Sequence, residues 1–122
     1  MRLNKLQKTA VTALEDIKAR DITLLDVRKL TSLYDTLIVA SAESARQVKA
    51  LARHVRDKLK DAGADIVGVE GEESGEWVLV DAGSIVVHVM QPTVRAYYNL
   101  EELWTPPTPK RRAAAKPTAR AA

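Results

Sequence analysis

The stretch Trp77–Met90, WVLVDAGSIVVHVM, decides the reading of this chain. Two runs rich in β-branched residues, Trp77 to Asp81 and Ile85 to Met90, flank Ala82-Gly83-Ser84, the pattern of a β-hairpin. Alternation puts Trp77, Leu79 and Asp81 on one face of the first strand, and cross-strand pairing brings Val86, His88 and Met90 beside them. If Asp81 pairs with Ser84, Trp77 stands opposite His88 and Leu79 opposite Val86; a three-residue loop slides that register by one. The first register is the one expected here. A half-buried hairpin whose face mixes a Trp, an Asp and a His suits recognition better than reaction. Aromatics supply contact area and are enriched among interface hot spots, and Asp and His offer directional hydrogen bonds.

Upstream, Ile66 to Val69 reads as a short strand, followed by the polar loop Glu70 to Glu76 (EGEESGE) with two glycines. Before it, Val48, Leu51, Ala52, Val55 and Leu59 make an apolar helical stripe that stops at Gly63, and Ser44-Ala45-Arg46-Gln47 fits a capping box at its start. Thr36 to Ala40 (TLIVA) is nearly all apolar, as expected of a strand buried on both faces, and Ile22 to Val27 is a further strand. Leu3, Leu6, Ala10, Leu14 and Ile17 recur at spacings of three and four, predicting a first helix from about residue 4 to 20. Downstream, Gln91-Pro92-Thr93 opens a last helix, Val94 to about Trp104, which Pro106 and Pro107 stop. The order α-β-β-α-β-β-β-α, with the second helix as a crossover, predicts an α/β fold with a mixed β-sheet and packed helices.

At 122 residues the chain suits one domain, able to bury roughly 65% of its unfolded surface. The absence of Cys removes disulfides, thiol catalysis and Cys-based metal sites, and no apolar run reaches membrane-spanning length, so a cytoplasmic protein without membrane contact is expected. The net charge of +3 divides by position: Lys110, Arg111, Arg112, Lys116 and Arg120 fall in an acid-free stretch, leaving 14 basic and 16 acidic residues before it. Residues 1–104 are read as the folded domain and residues 105–122, rich in Pro, Ala and basic residues, as a disordered tail.

The ordered motifs Asp21-Ile22, Leu25-Asp26-Val27, Asp35, Ser44-x-Arg46-Gln47-Val48, Glu70-Gly71, Trp77-Val78-x-x-Asp81-x-Gly83, Val86-Val87-His88-Val89 and Leu100-Glu101-x-Leu103-Trp104 resemble those of the ribosomal silencing factor family, the Iojap-like proteins. The resemblance covers about residues 3 to 104. It implies a nucleotidyltransferase-like fold and a homodimeric factor. That factor would dock on ribosomal protein L-fourteen of the large ribosomal subunit, block the small subunit from joining, and so repress translation when nutrients are scarce. Ala42 stands where the family often has Gly, and Ser84 where it often has Asp, which bears on local loop shape.

Each candidate site has a plainer counterpart. Trp77, Asp81 and His88 are candidates for partner binding, against a core Trp and a satisfied interior His. Glu70 and Glu73, with Glu72 and Glu76, form an acidic loop that could steer the protein toward a basic partner, against an ordinary solvated loop. Tyr98 is divided between a docking or dimer surface and the core, and Leu100 is assigned to the core. Arg46, Lys49 and Arg53, continued by Arg56 and Lys60, form a basic stripe able to rest on phosphates, interleaved with Asp57 and Asp61 as a solvated face would be. The basic tail is a candidate for contact with ribosomal RNA.

An enzyme of nucleotidyltransferase type needs an Asp-x-Asp after its Gly-Ser pair to hold two metal ions. Here Ile85-Val86-Val87-His88 follows Gly83-Ser84, no phosphate-cradling Gly-rich loop occurs, and His54 and His88 make no metal set. Catalysis is therefore not expected, and the expectation taken from the resemblance is a steric repressor with no cofactor and no metal. The alternatives are a degenerate nucleotidyltransferase-like enzyme or a small RNA-binding module.

Overall fold

In the computed structural model, residues 4–103 are described; Leu3, Trp104 and the tail 105–122 lie outside the described residues. The elements run α1 (Lys5–Asp16), β1 (Arg20–Asp26), β2 (Thr36–Ser41), α2 (Ala45–Asp61), β3 (Gly68–Glu70), β4 (Trp77–Asp81), β5 (Ile85–Met90), α3 (Pro92–Tyr98) and α4 (Leu100–Leu103). One five-stranded sheet has the order β1-β2-β5-β4-β3. β2 and β5 run parallel at its centre and every other pair is antiparallel, so the sheet is mixed, as expected. α2 carries the chain from β2 across β5 and β4 to the far edge strand β3.

The two faces of the sheet are built differently. Ile38, Ala40, Val78, Val80, Val87 and Val89 meet α1 and α2 in the main core, where Val48, Leu51, Ala52, Val55 and Leu59 of α2 are all fully buried. Each such Val or Leu contributes roughly 1.5–3 kcal/mol. Leu37, Val39, Val86 and Met90 point the other way and form a smaller cluster with Leu25, Tyr34, Trp77, Leu79, Val94 and Leu100. Among the described residues, only the short α3 and α4 and the segment around Tyr34 pack on that side.

Helix ends explain where the expected boundaries move. α1 stops at Asp16 instead of about residue 20, because Lys18 takes a left-handed conformation (φ 59°) while its N–H bonds the Glu15 carbonyl and that of Ala19 bonds Leu14. That is a Schellman ending carried by a Lys, where sequence patterns look for Gly. α2 ends in the same bond pattern with Gly63 in the special position, as expected. At the start of α2 the Ser44 side chain accepts from Gln47 N–H (3.1 Å), but the reciprocal half of the box is missing, because Gln47 Nε2 donates to Ile17 O across to α1. The reciprocal box sits on α1, between Asn4 and Gln7, and Gln7 Nε2 also reaches Thr36 Oγ1 at 2.8 Å.

The hairpin strands fall where expected, but their register does not. Trp77 pairs with Met90, Leu79 with His88 and Asp81 with Val86, two residues away from the expected pairing. The turn spans different residues from those expected: Ala82 N–H bonds Ile85 O at 2.9 Å, leaving only Gly83 and Ser84 at the tip, with Gly83 at φ 84°. A shift of two keeps every side chain on its face. β5 is buried along its whole length by β2 and β4, so the expected half-burial holds for β4 alone. β3 begins two residues later than the apolar pattern predicts, at Gly68–Glu70. The last helix breaks in two at Asn99, which is left-handed (φ 48°).

Candidate docking site

The register places Trp77, Leu79 and Asp81 of β4 beside Val86, His88 and Met90 of β5, on the face that α1 and α2 leave uncovered. There the Trp77 indole N–H donates to His88 Nδ1 at 2.9 Å, a diagonal contact between strands, and the two ring centroids are 5.8 Å apart. That bond sets His88 Nδ1 as an acceptor and therefore the neutral ring as the native form. His88 is 7% exposed, and burial pushes its pKa down from 6.5 to about 4. It has the satisfied interior geometry of the plainer reading, and any part in recognition passes through the indole it holds.

Trp77 is half-buried, so it is neither a free anchor nor wholly core. Its other neighbour is Tyr98, at the last turn of α3, whose ring centroid lies 4.8 Å away at an interplanar angle of 49°. Tyr98 is 53% exposed and Tyr97 82%, the two packed edge to face at 5.0 Å. An aromatic surface thus runs outward from a buried His through a half-covered Trp to two accessible tyrosines.

Beside it lies a groove of about 400 Å³, lined by Leu33, Tyr34, Leu79, Asp81, His88 and Leu100 among others. Leu33 is 79% exposed on its rim. Asp81 is partly buried; its Oδ1 accepts Gly83 N–H at 3.0 Å, so it holds the turn as well as facing the groove. Burial, and next the charge of Asp81, raise the Tyr34 phenol above its ordinary pKa.

Glu70 ends β3 opposite Leu79, on the same face at the sheet edge, and is exposed, as is Glu73. Their loop is held: Gln91 Nε2 donates to Gly75 O (3.2 Å) and Gln91 N–H to Glu76 O (2.9 Å). Arg46 and Arg53 are exposed on α2, and Lys49 is half-buried. Because α2 covers the opposite sheet face, that stripe points away from Trp77, and within it Arg56 is paired with Asp57. The structure therefore brings Trp77, Asp81, His88 and Tyr98 together and leaves Arg46, Lys49 and Arg53 apart from them. Tyr97 and Leu33 carry no periodic or motif signal that marks them as site residues; the doubled tyrosine is the one hint available for Tyr97.

Among the described residues no three His, Asp or Glu side chains gather as a metal set, and no helix is long and apolar enough to cross a membrane. The sheet is thus covered by α1 and α2 on one face and carries a partly exposed aromatic cluster beside a groove on the other.

Comparison with known proteins gives the family. The family described as "Ribosomal silencing factor during starvation" matches residues 1–122. The ribosomal silencing factor RsfS of Chromobacterium violaceum is 62% identical over 104 residues, 85% of each chain. That of Bacillus subtilis is 38% identical over 104 residues, 85% of this chain and 88% of that protein. A crystal structure of a Chromobacterium violaceum protein superposes with a TM-score of 0.81 at 55% identity, covering 100% of this chain and 95% of that one. The chain belongs to the ribosomal silencing factor family.

Proposed function

We propose that this protein is a ribosome-associated translational repressor. It docks through the Trp77–Tyr98 surface on ribosomal protein L-fourteen of the large ribosomal subunit, and its bulk then blocks the small subunit from joining. The observation that carries this reading is the contact of Trp77 with an exposed Tyr98 on the uncovered face, beside a groove that Leu33 leaves open. Family membership supports it, because the relatives are named for silencing ribosomes.

The mechanism asks for affinity and position, with no bond made or broken, so the protein is not an enzyme. Exposed Glu70 and Glu73 at the edge of the same face favour a basic partner by field complementarity. The factor is cytoplasmic and forms a homodimer. Residues 1–104 carry folding and docking, and the basic residues of 105–122 add a salt-sensitive attraction to ribosomal RNA.

Cosedimentation tests the docking step. The protein should pellet with purified large subunits and stay in the supernatant with small subunits alone. Failure to pellet with large subunits at micromolar concentrations would overturn it.

A further inference from the structure

The docking surface depends on α3 and α4, yet both helices are short. α3 has seven residues, none buried, and no side-chain cap at its start, and α4 has four. Helices this short are not stable alone. Val94 and Leu100 supply partial apolar contact with the sheet.

Arg95 adds a polar anchor. Its side chain, 12% exposed, runs from α3 to the sheet, where Nη1 donates to the Asp21 carbonyl (2.6 Å) and Ser41 Oγ (2.9 Å) and Nη2 to Thr23 Oγ1 (3.0 Å). Nε and Nη2 also reach Glu101 Oε2 at 3.1 and 2.5 Å. One guanidinium thus joins β1, β2, α3 and α4. The Asp21 carbonyl it takes belongs to a left-handed residue (φ 50°) where the β1–β2 register shifts. The Glu101 bond closes the chain back over the break at Asn99. A planar fork can satisfy several fixed acceptors at once, and a Lys ammonium at this site cannot reproduce that geometry.

We infer that Arg95 is a positioning residue for docking: it holds the α3–α4 pair to β1 and β2 so that Tyr98 lies against Trp77. The inference rests on the docking role proposed for that surface. Its consequence is that the recognition face can be dismantled from a residue that does not belong to it, while the sheet stays intact.

The test is Arg95→Met in the full chain, followed by amide hydrogen exchange and by cosedimentation with large subunits. Exchange should speed up by tenfold or more in residues 92–103, with the amides of β2, β4 and β5 unchanged, and large-subunit affinity should fall at least tenfold. Arg95→Lys should recover only part of either effect. The double variant Thr23→Val and Ser41→Ala, which removes two acceptors and spares Glu101, should loosen the same segment, and it serves if Arg95→Met fails to fold. Unchanged protection of residues 92–103 in these variants would overturn the positioning role. Tyr98→Ala separates this from the docking proposal: parental affinity in that variant sinks the docking surface, whereas weakened affinity there beside parental affinity in folded Arg95→Met sinks Arg95.

Discussion

The Trp77 indole N–H donates to Nδ1 of His88 at 2.9 Å, joining a buried side chain of the central strand to the root of the exposed aromatic surface. Trp77→Phe keeps most of the ring and removes the donor, leaving a buried acceptor unsatisfied. Chemical denaturation should show a loss of about 1–3 kcal/mol.

The same relationship makes stability depend on pH. His88 titrates near 4 in the folded protein and near 6.5 in the unfolded chain, so between those values the unfolded state binds the extra proton. Stability from the neutral ring is fully present above pH 6.5, is lost as pH falls, and levels off below about 4. The full loss is of the order of 3 kcal/mol. His88→Gln should flatten the part of the curve between pH 6.5 and about 5, where most carboxylates have yet to titrate. An equal slope in parent and variant would contradict the assignment.

Two glycines hold the acidic loop and resist replacement. A methyl at Gly71 (φ 89°) would run into the Trp77 carbonyl, and one at Gly75 (φ 71°) would stand 2.7 Å from Ala45 Cβ. Positive φ alone costs a non-glycine residue roughly 1–2 kcal/mol. Gly71→Ala and Gly75→Ala should therefore each exceed that cost in thermal unfolding. Gly83→Ala, at φ 84° with open space around it, should lose only what the backbone conformation costs.

Much of this architecture is legible in the amino-acid order alone. TLIVA has no polar alternation and so belongs in a sheet interior, and Gly63 and Pro92 mark helix boundaries by their own backbone chemistry. What escapes such reading depends on contacts far apart in the chain or on unusual residues in special conformations. Ile17 continues the helical period, but Lys18 turns left-handed and ends the helix before it. The hairpin register turns on whether Ala82 bonds Ile85, and apolar alternation cannot distinguish that from a shift of two. Arg95 looks like one more surface cation until the fold brings Asp21, Thr23 and Ser41 to it. Trp77 is both packed and accessible, although strand alternation presents those as alternatives.

Tyr98 separates binding from folding more cleanly than Trp77 does. It is half exposed and its ring rests on Trp77 from outside, so Tyr98→Ala should leave the unfolding midpoint within a few degrees of the parent. Affinity for large subunits should fall by about 2 kcal/mol, the range of an interface hot spot. Parallel cosedimentation and thermal unfolding of the parent and the variant check both halves.

The most direct measurement is subunit reassociation, followed by light scattering as purified small and large subunits are mixed after preincubation of the large subunit with the protein. The parent should lower the yield of joined ribosomes in a saturable way, and Tyr98→Ala should need at least tenfold more protein for the same effect. An unchanged yield of joined ribosomes at saturating parent protein would contradict the account.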